Sequence, residues 1–362
     1  MDREYLFEEA VNHLQHLIAT PSFSDEEGKA ADIWEEWLRR HEVKNLNRFH
    51  NNVYALPDNF QPSKPILLLN SHMDTVRPVA SYTRDPFEPT ISDGVLWGLG
   101  SNDAGGAGVC LASTFLSLKN RTDLPFNLLL AITASEERMG DYGMRAFLPH
   151  LKEKGLYPQM AIVGEPTSCE AAIAERGLVV CDVMTYGKAG HVARNEGDNA
   201  IYHAIKDIEA LLSMEWPKES KTLGPVKASV TMINAGTQHN VVPDRCHYVV
   251  DIRTTDAFSN EETVELISRA ASRSVFCPRS TRIRASVLAE NNPLFKAARQ
   301  IKMRTFVSPT TSDMALMPDI PSIKIGPGES KRSHSADEFI LLSEIRKGLE
   351  TYENFLQALS EI

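Results

Sequence analysis

Pro65-Ile66-Leu67-Leu68-Leu69-Asn70-Ser71-His72-Met73-Asp74 is the stretch on which the fold turns. Its apolar run is short, unbroken and bounded by polar residues, the pattern of a strand covered on both faces. Phe126-Asn127-Leu128-Leu129-Leu130-Ala131-Ile132-Thr133 and Met160-Ala161-Ile162-Val163 repeat that pattern. Small-residue helical segments, 105–118 and 143–154, lie between them, so the first ~170 residues read as an α/β sandwich. Upstream, Leu6, Val11, Leu14, Leu17 and Ile18 recur at helical spacing until Pro21. Ser24 with Glu27 then reads as a capping box opening a second helix through Leu38. Open α/β sheets bind ligands beyond their strand ends, so the chemistry is expected there.

The character changes over residues 170–286. A strand (178–185), a helix (200–213), two strands (227–234 and 247–253), a helix (261–272) and a strand (282–287) follow in the split β-α-β-β-α-β order. The α/β pattern resumes with a helix at 293–304, a strand at 322–325 and a helix at 341–359. The central unit therefore reads as an insertion: residues 1–171 and 287–362 form one discontinuous domain and residues 172–286 a second.

A chain of 362 residues with 42% hydrophobic and 24% charged residues has ample material for a core, which excludes a disordered or coiled-coil protein. The net charge of −10, without a basic stripe, disfavours a nucleic-acid partner. The apolar runs fall far short of the ~20 residues of a membrane helix. Met1-Asp2-Arg3-Glu4-Tyr5 lacks the basic start of a signal peptide. Five scattered cysteines (Cys110, Cys169, Cys181, Cys246, Cys277) fit reduced, buried thiols, so a cytoplasmic protein is expected.

Five polar constellations follow apolar strands or glycine turns. His72 and Asp74 end the first quoted strand on one side of it. Asp74 there could orient the imidazole of His72 instead of binding metal itself. In Trp97-Gly98-Leu99-Gly100-Ser101-Asn102-Asp103-Ala104-Gly105-Gly106, glycines aim a carboxylate inward. The segment fails as a nucleotide loop because Asp103 replaces the third glycine of a dinucleotide fingerprint and Gly-Lys-Ser/Thr is missing. Glu136 and Glu137 lie just past a buried strand, where one carboxylate is able to coordinate while its neighbour handles a proton. Glu165 follows Ile162-Val163-Gly164, and His334 lies in Ser333-His334-Ser335-Ala336-Asp337-Glu338. Clustering these acids is costly, since like charges ~4 Å apart repel by ~4 kcal/mol at an effective dielectric near 20. Two divalent cations would bring the cluster near neutrality, whereas one would leave it anionic.

The ordered set His72-Met-Asp74, Gly98 to Asp103, Glu136-Glu137, Gly164-Glu165-Pro166-Thr167, Gly187-Lys-Ala-Gly-His191, Asn240-Val-Val-Pro243, Asp251-Ile-Arg253, Thr311-Ser-Asp313 and Ser333-His334 resembles a known family across nearly the whole chain. This is the co-catalytic di-zinc family of acetylornithine deacetylase, succinyl-diaminopimelate desuccinylase, aminoacylase and glutamate carboxypeptidases. The resemblance implies a mixed-sheet, three-layer catalytic domain of zinc-peptidase type carrying an inserted ferredoxin-like lid and dimerisation domain. It implies two Zn2+, with Co2+ or Mn2+ as substitutes. His72 and Glu165 would hold one, Glu137 and His334 the other, and Asp103 would bridge, while Asp74 orients His72. Glu136 would be the general base, and His191 would reach a partner's site to stabilise the oxyanion. Asn240 and Arg253 would bind the substrate carboxylate, Thr311 is a further substrate-binding candidate, and Arg176 is available to a second carboxylate.

The implied activity is hydrolysis of an N-acyl amino acid, N-acetyl-L-ornithine in arginine biosynthesis being the expectation. The alternatives are N-succinyl-L-ornithine or succinyl-diaminopimelate, or a di-/tripeptidase or carboxypeptidase on the same scaffold. The expected partners are a small-molecule substrate and a second copy of the chain, with no nucleic acid or membrane. Two departures from the family stand out. Ala104-Gly105-Gly106 follows Asp103 where relatives often carry Met-Lys-Gly, and Val192-Ala193-Arg194 follows His191 where a proline is common.

Overall fold

A computed structural model describes residues 2–362. Met1, the first residue of the expected catalytic domain, lies outside them. The chain divides into two compact units. One comprises the residues up to Ile173 with Leu288–Phe306 and Ser312–Ile362, and the other comprises Ala174–Val287 with Val307–Thr311.

In the first unit a mixed sheet runs Asn45–Phe49, Asn52–Leu56, Asn127–Thr133, Ile66–His72, Met160–Val163, Ser322–Lys324, and then Ala171–Glu175, along which the chain leaves the unit. The strands Asn127–Thr133, Ile66–His72, Met160–Val163 and Ser322–Lys324 are mutually parallel, and the pairs beside them are antiparallel. Alternation along each strand feeds two cores. Leu67, Leu69, Leu128 and Leu130 pack on one side with Phe7, Leu14, Trp34, Trp37, Phe115 and Phe355. Ile66, Leu68 and Leu129 pack on the other with Phe147, Leu151 and Met314. Helices Arg3–Ile18, Gly28–Arg40, Gly106–Leu118, Pro293–Gln300 and Leu342–Ser360 supply the first layer, and Met144–Glu153 the second. The apolar strands are continuous because both faces are covered. His72 pairs with Thr133 and Asn70 with Val163, so the carboxyl ends of three parallel strands finish together.

The second unit is an antiparallel sheet in the order Lys227–Ala235, Arg245–Thr254, Gly177–Tyr186, Ser274–Pro278. Val179, Cys181, Val183, Tyr248, Val250 and Ile252 from the sheet pack with Ala200, Ala204 and Leu211 of helix Ala200–Leu212 and Ile267 of helix Asn260–Ala270. A capping box of Ser259 and Glu262 opens the latter helix.

Four local expectations are corrected. The fourth strand of this sheet is Ser274–Pro278, which pairs with Gly177–Tyr186 and ends at a proline, instead of residues 282–287. Ser286–Val287 pairs with Glu175 and Ala174. Ser24 and Glu27 form no capping box: helix Gly28–Arg40 starts after Glu27 without a side-chain cap, and both side chains are drawn into tertiary hydrogen bonds. The helix expected at 293–304 stops at Gln300, and Lys302 has φ 54°. All five cysteines are free, but Cys277 is exposed. Among the described residues, no helix is long and apolar enough to cross a membrane.

Candidate metal centre

His72 ends its strand buried, 2% exposed. Its Nδ1 donates to the Asp74 carbonyl oxygen at 2.9 Å, which fixes the ring so that Nε2 is the nitrogen turned toward the acids. That nitrogen faces Asp103 Oδ1 at 3.3 Å, Glu165 Oε1 at 3.8 Å and Glu136 Oε2 at 3.9 Å. On the other side of Asp103, Oδ2 lies 3.8 Å from His334 Nε2, which is itself 2.8 Å from Glu137 Oε2. One donor atom each from His72, Asp103 and Glu165 lies within 4.8 Å of the others, and the same holds for Asp103, Glu137 and His334. Asp103 thus belongs to both triplets and turns one oxygen to each.

The segment holding Asp103 departs from regular helix. Gly98 and Gly100 have φ of 145° and 77°, and a Cβ at Gly98 would collide with the Ile18 side chain. The Asp103–Ala104 peptide is cis. Buried Glu338 accepts the backbone N–H groups of Gly100 at 3.1 Å and of Asn102 and Asp103 at 2.9 Å each. Asn102 accepts from the Glu329 amide at 2.9 Å, tying this loop to the turn that precedes His334.

Glu136 and Glu137 follow Ser135, a left-handed residue at φ 55°. The carboxylate of Asp74 receives their two amides, Oδ1 from Glu136 at 2.9 Å and Oδ2 from Glu137 at 3.1 Å. Asp74 thus contacts His72 chiefly through its carbonyl oxygen, its Oδ1 standing 3.5 Å from Nδ1. Behind these strand ends Asp313 accepts from Asn70 Nδ2 at 2.8 Å and Thr133 Oγ1 at 2.9 Å.

Burial pushes the carboxyl groups of Glu136 and Glu137 up, and Glu165 up to about 8 with the Asp103 charge adding to it. Burial opposes charge on His72, but hydrogen bonds to Asp103 and Asp74 outweigh it and raise its pKa well above the usual value. The Glu137 hydrogen bond raises His334 to about 9. Acids this close raise one another's pKa, and a cation among them would relieve that repulsion. Carboxylate and imidazole donors in two triplets suit divalent cations such as zinc.

His191, Asn240, Arg253, Arg176 and Thr311 belong to the second unit. His191 is exposed on the short strand Gly190–His191, and Val192 N donates to the Asn240 carbonyl at 3.2 Å, making the two neighbours there. Arg253 is paired with Asp251 at 2.8 Å. Arg176 donates to the carbonyls of Pro225, at 2.8 Å, and Leu223. Thr311 is half-buried at the end of Val307–Thr311.

Glu338 and Asp313 were not assigned roles from the sequence. Their signal was weak: each stands inside a quoted motif, beside His334 and after Thr311, but a buried acid that accepts backbone amides has no distinctive spacing.

Residues 68–358 match the model of peptidase family M20/M25/M40. The chain belongs to this family. The M20 protein is therefore a hydrolase acting on amide bonds. It is similar to a succinyl-diaminopimelate desuccinylase of Wolbachia pipientis, 28% identical over 337 residues that cover 84% of this chain and 81% of the relative. In fold the M20 chain is similar to aminopeptidase PepT from Bacillus cereus, with TM-score 0.77 and 19% identity over 98% of both chains. It also matches a dinuclear metal-binding peptidase from Bacillus subtilis, with TM-score 0.74 and 16% identity over 99% of both.

Proposed function

We propose that this protein is a two-metal deacylase of N-acyl amino acids. The observation that carries the reading is Asp103, whose two oxygens face separate His–carboxylate pairs. His72 and Glu165 would hold one cation, Glu137 and His334 the other, and Asp103 both; zinc fits these donors, with Co2+ or Mn2+ as substitutes. Bound cations would polarise the acyl carbonyl and acidify water.

Glu136 belongs to neither triplet, yet its carboxylate is buried beside His72. Burial raises its pKa, which suits a group that accepts a proton from the attacking water and delivers it to the departing amine nitrogen. Asp74 holds the Glu136 amide, and so the backbone from which that side chain projects. The products are a carboxylate and a free amine.

The named desuccinylase relative favours N-succinyl-L,L-diaminopimelate as the first substrate, ahead of the N-acetyl-L-ornithine expected from the sequence. The peptidases of similar fold keep di- and tripeptides in view. Asn240 and Arg253 are assigned to the substrate carboxylate, Thr311 to substrate binding and His191 to the oxyanion. Arg176 is the weakest of the set, because its guanidinium already serves two carbonyls. Dimerisation is assigned to the second unit, in which the edge strand Lys227–Ala235 exposes Met232 and Ile233. The decisive experiment measures release of free amine from succinyl-, acetyl- and formyl-amino acids and from dipeptides by zinc-loaded protein. Cleavage of peptides alone would refute the deacylase reading.

A further inference from the structure

The connection between the first two helices, residues 19–27, was expected only to cap a helix, yet it meets the strand ends of the centre through a continuous set of hydrogen bonds. Ser22 Oγ donates to the Met73 carbonyl at 2.9 Å, and Thr75 N donates to the Ser22 carbonyl at 2.9 Å. Phe23 and Thr75 form a parallel bridge. Ser24 Oγ donates to Asp74 Oδ2 at 2.7 Å. Glu27, 1% exposed, accepts at Oε1 from the amides of Asp25 at 2.7 Å and Ser135 at 3.0 Å, with Ser135 Oγ 3.3 Å away. Its Oε2 accepts from Asn51 Nδ2 at 3.0 Å. Ser135 Oγ donates to Asp25 Oδ1 at 2.7 Å, and both Asp25 and Ser135 have left-handed φ, 72° and 55°.

We infer that Ser24 and Glu27 are positioning residues of the reaction: Glu27 clamps the left-handed Ser135 and Ser24 clamps Asp74, and together they fix the backbone from which Glu136 projects. The inference rests on the reading of Glu136 as the proton carrier. Three features support it. A helix cap would satisfy amides of the helix Gly28–Arg40, but the acceptors of Glu27 are spent instead on Asp25, Ser135 and Asn51. Ser135 directly precedes Glu136, so a change in its φ or ψ swings the next residue as a rigid lever. Asp74 receives one hydroxyl hydrogen bond and two amide hydrogen bonds, so Ser24 and the Glu136-Glu137 turn share one carboxylate. Hydrogen bonds from such supporting residues commonly decide the orientation of the groups that do the chemistry.

The test compares Glu27→Ala, Glu27→Gln and Ser24→Ala in the full-length, zinc-loaded protein, alone and combined with Glu136→Asp. Substrates are N-succinyl-L,L-diaminopimelate and N-acetyl-L-ornithine. Glu27→Ala is expected to lower kcat about 10- to 100-fold with KM and zinc content within about twofold. Glu27→Gln keeps an acceptor for Ser135 and is expected to recover most of that loss. In the Glu136→Asp background the further loss from Glu27→Ala should shrink to about twofold, because both changes act on one displacement. Ser24→Ala removes a single hydroxyl and must fold; a several-fold fall in kcat is expected.

Hydrogen exchange of the segment 133–139 supplies a measurement independent of any substrate. Glu27→Ala should speed it and Glu27→Gln should not. Unchanged exchange in Glu27→Ala, or equal kcat losses in both backgrounds, would overturn the clamp. Full turnover by Glu136→Gln would instead overturn the role of Glu136 and leave the exchange result standing.

Discussion

Asp74 Oδ1 accepts the backbone N–H of Glu136 at 2.9 Å, so the strand end that carries His72 also sets the residue assigned to proton transfer. The carboxylate is buried and its pKa is lowered: burial opposes ionisation, but the neighbouring His72 imidazole and hydrogen bonds from Ser24 and the Glu136 amide prevail. Asp74→Ala is expected to lower kcat about 10- to 100-fold. Asp74→Asn, which keeps one acceptor but turns a donor toward the second amide, should fall between the two. Steady-state kinetics check this, and equal activity of all three proteins would separate Asp74 from the site.

Glu338 holds three amides of the loop that presents Asp103, and removing it leaves them buried without acceptors. Each unpaired group costs about 1–3 kcal/mol, so Glu338→Ala should lower stability by several kcal/mol and weaken metal retention. Urea unfolding with metal analysis of the dialysed protein measures both. A stable variant with full metal content would show that the loop holds Asp103 unaided.

Stripping metal should make stability depend on pH with a definite sign. Glu165 titrates near 4.5 ordinarily and at about 8 in the fold, so between those values the folded chain holds a proton that the unfolded chain has lost. Stability of chelator-treated protein therefore falls as pH rises through that window, by up to about 1.4 kcal/mol per pH unit for such a group. Glu136 and Glu137 shift in the same direction. Restoring zinc should flatten the slope; urea midpoints at about pH 5 and about pH 8, with and without metal, test it.

His13 predicts a slope of the opposite sign, remote from the centre. It is buried, stacked on Trp37 and edge-on to Trp34 with centroids 4.4 Å away in both cases. Burial pushes its pKa well below 6.5, with the charges of His16, Arg40 and His41 adding to the effect. Below about pH 6.5 the unfolded chain takes up a proton that the folded chain refuses, so stability falls as pH falls, by at most about 1.4 kcal/mol per unit. His13→Phe should remove this part of the acid sensitivity, and an unchanged acid midpoint would exclude His13 as its source.

The buried strands were legible because leucine runs such as Leu67-Leu68-Leu69 have one interpretation when both faces are covered, and acids just beyond them stand where open sheets bind ligands. Residues 282–287 misled because alternation marks a strand without naming its partner: Ser286–Val287 is a strand, but it pairs with Glu175 and Ala174. Ser24 and Glu27 misled for a related reason, since a capping-box spacing is local and says nothing of competing acceptors and donors that arrive from Asp74 and Ser135.

From sequence alone followed the buried strands of the covered sheet and the candidates His72, Asp103, Glu136, Glu137, Glu165 and His334, because periodicity and residue chemistry are properties of the chain itself. Only the tertiary structure decided that Asp103 turns one oxygen to each histidine, that Asp74 grips the Glu136 amide and that Glu338 supports the loop. Those relations join residues up to 238 positions apart, and a hydrogen bond depends on distance and direction in space, which separation along the chain does not encode.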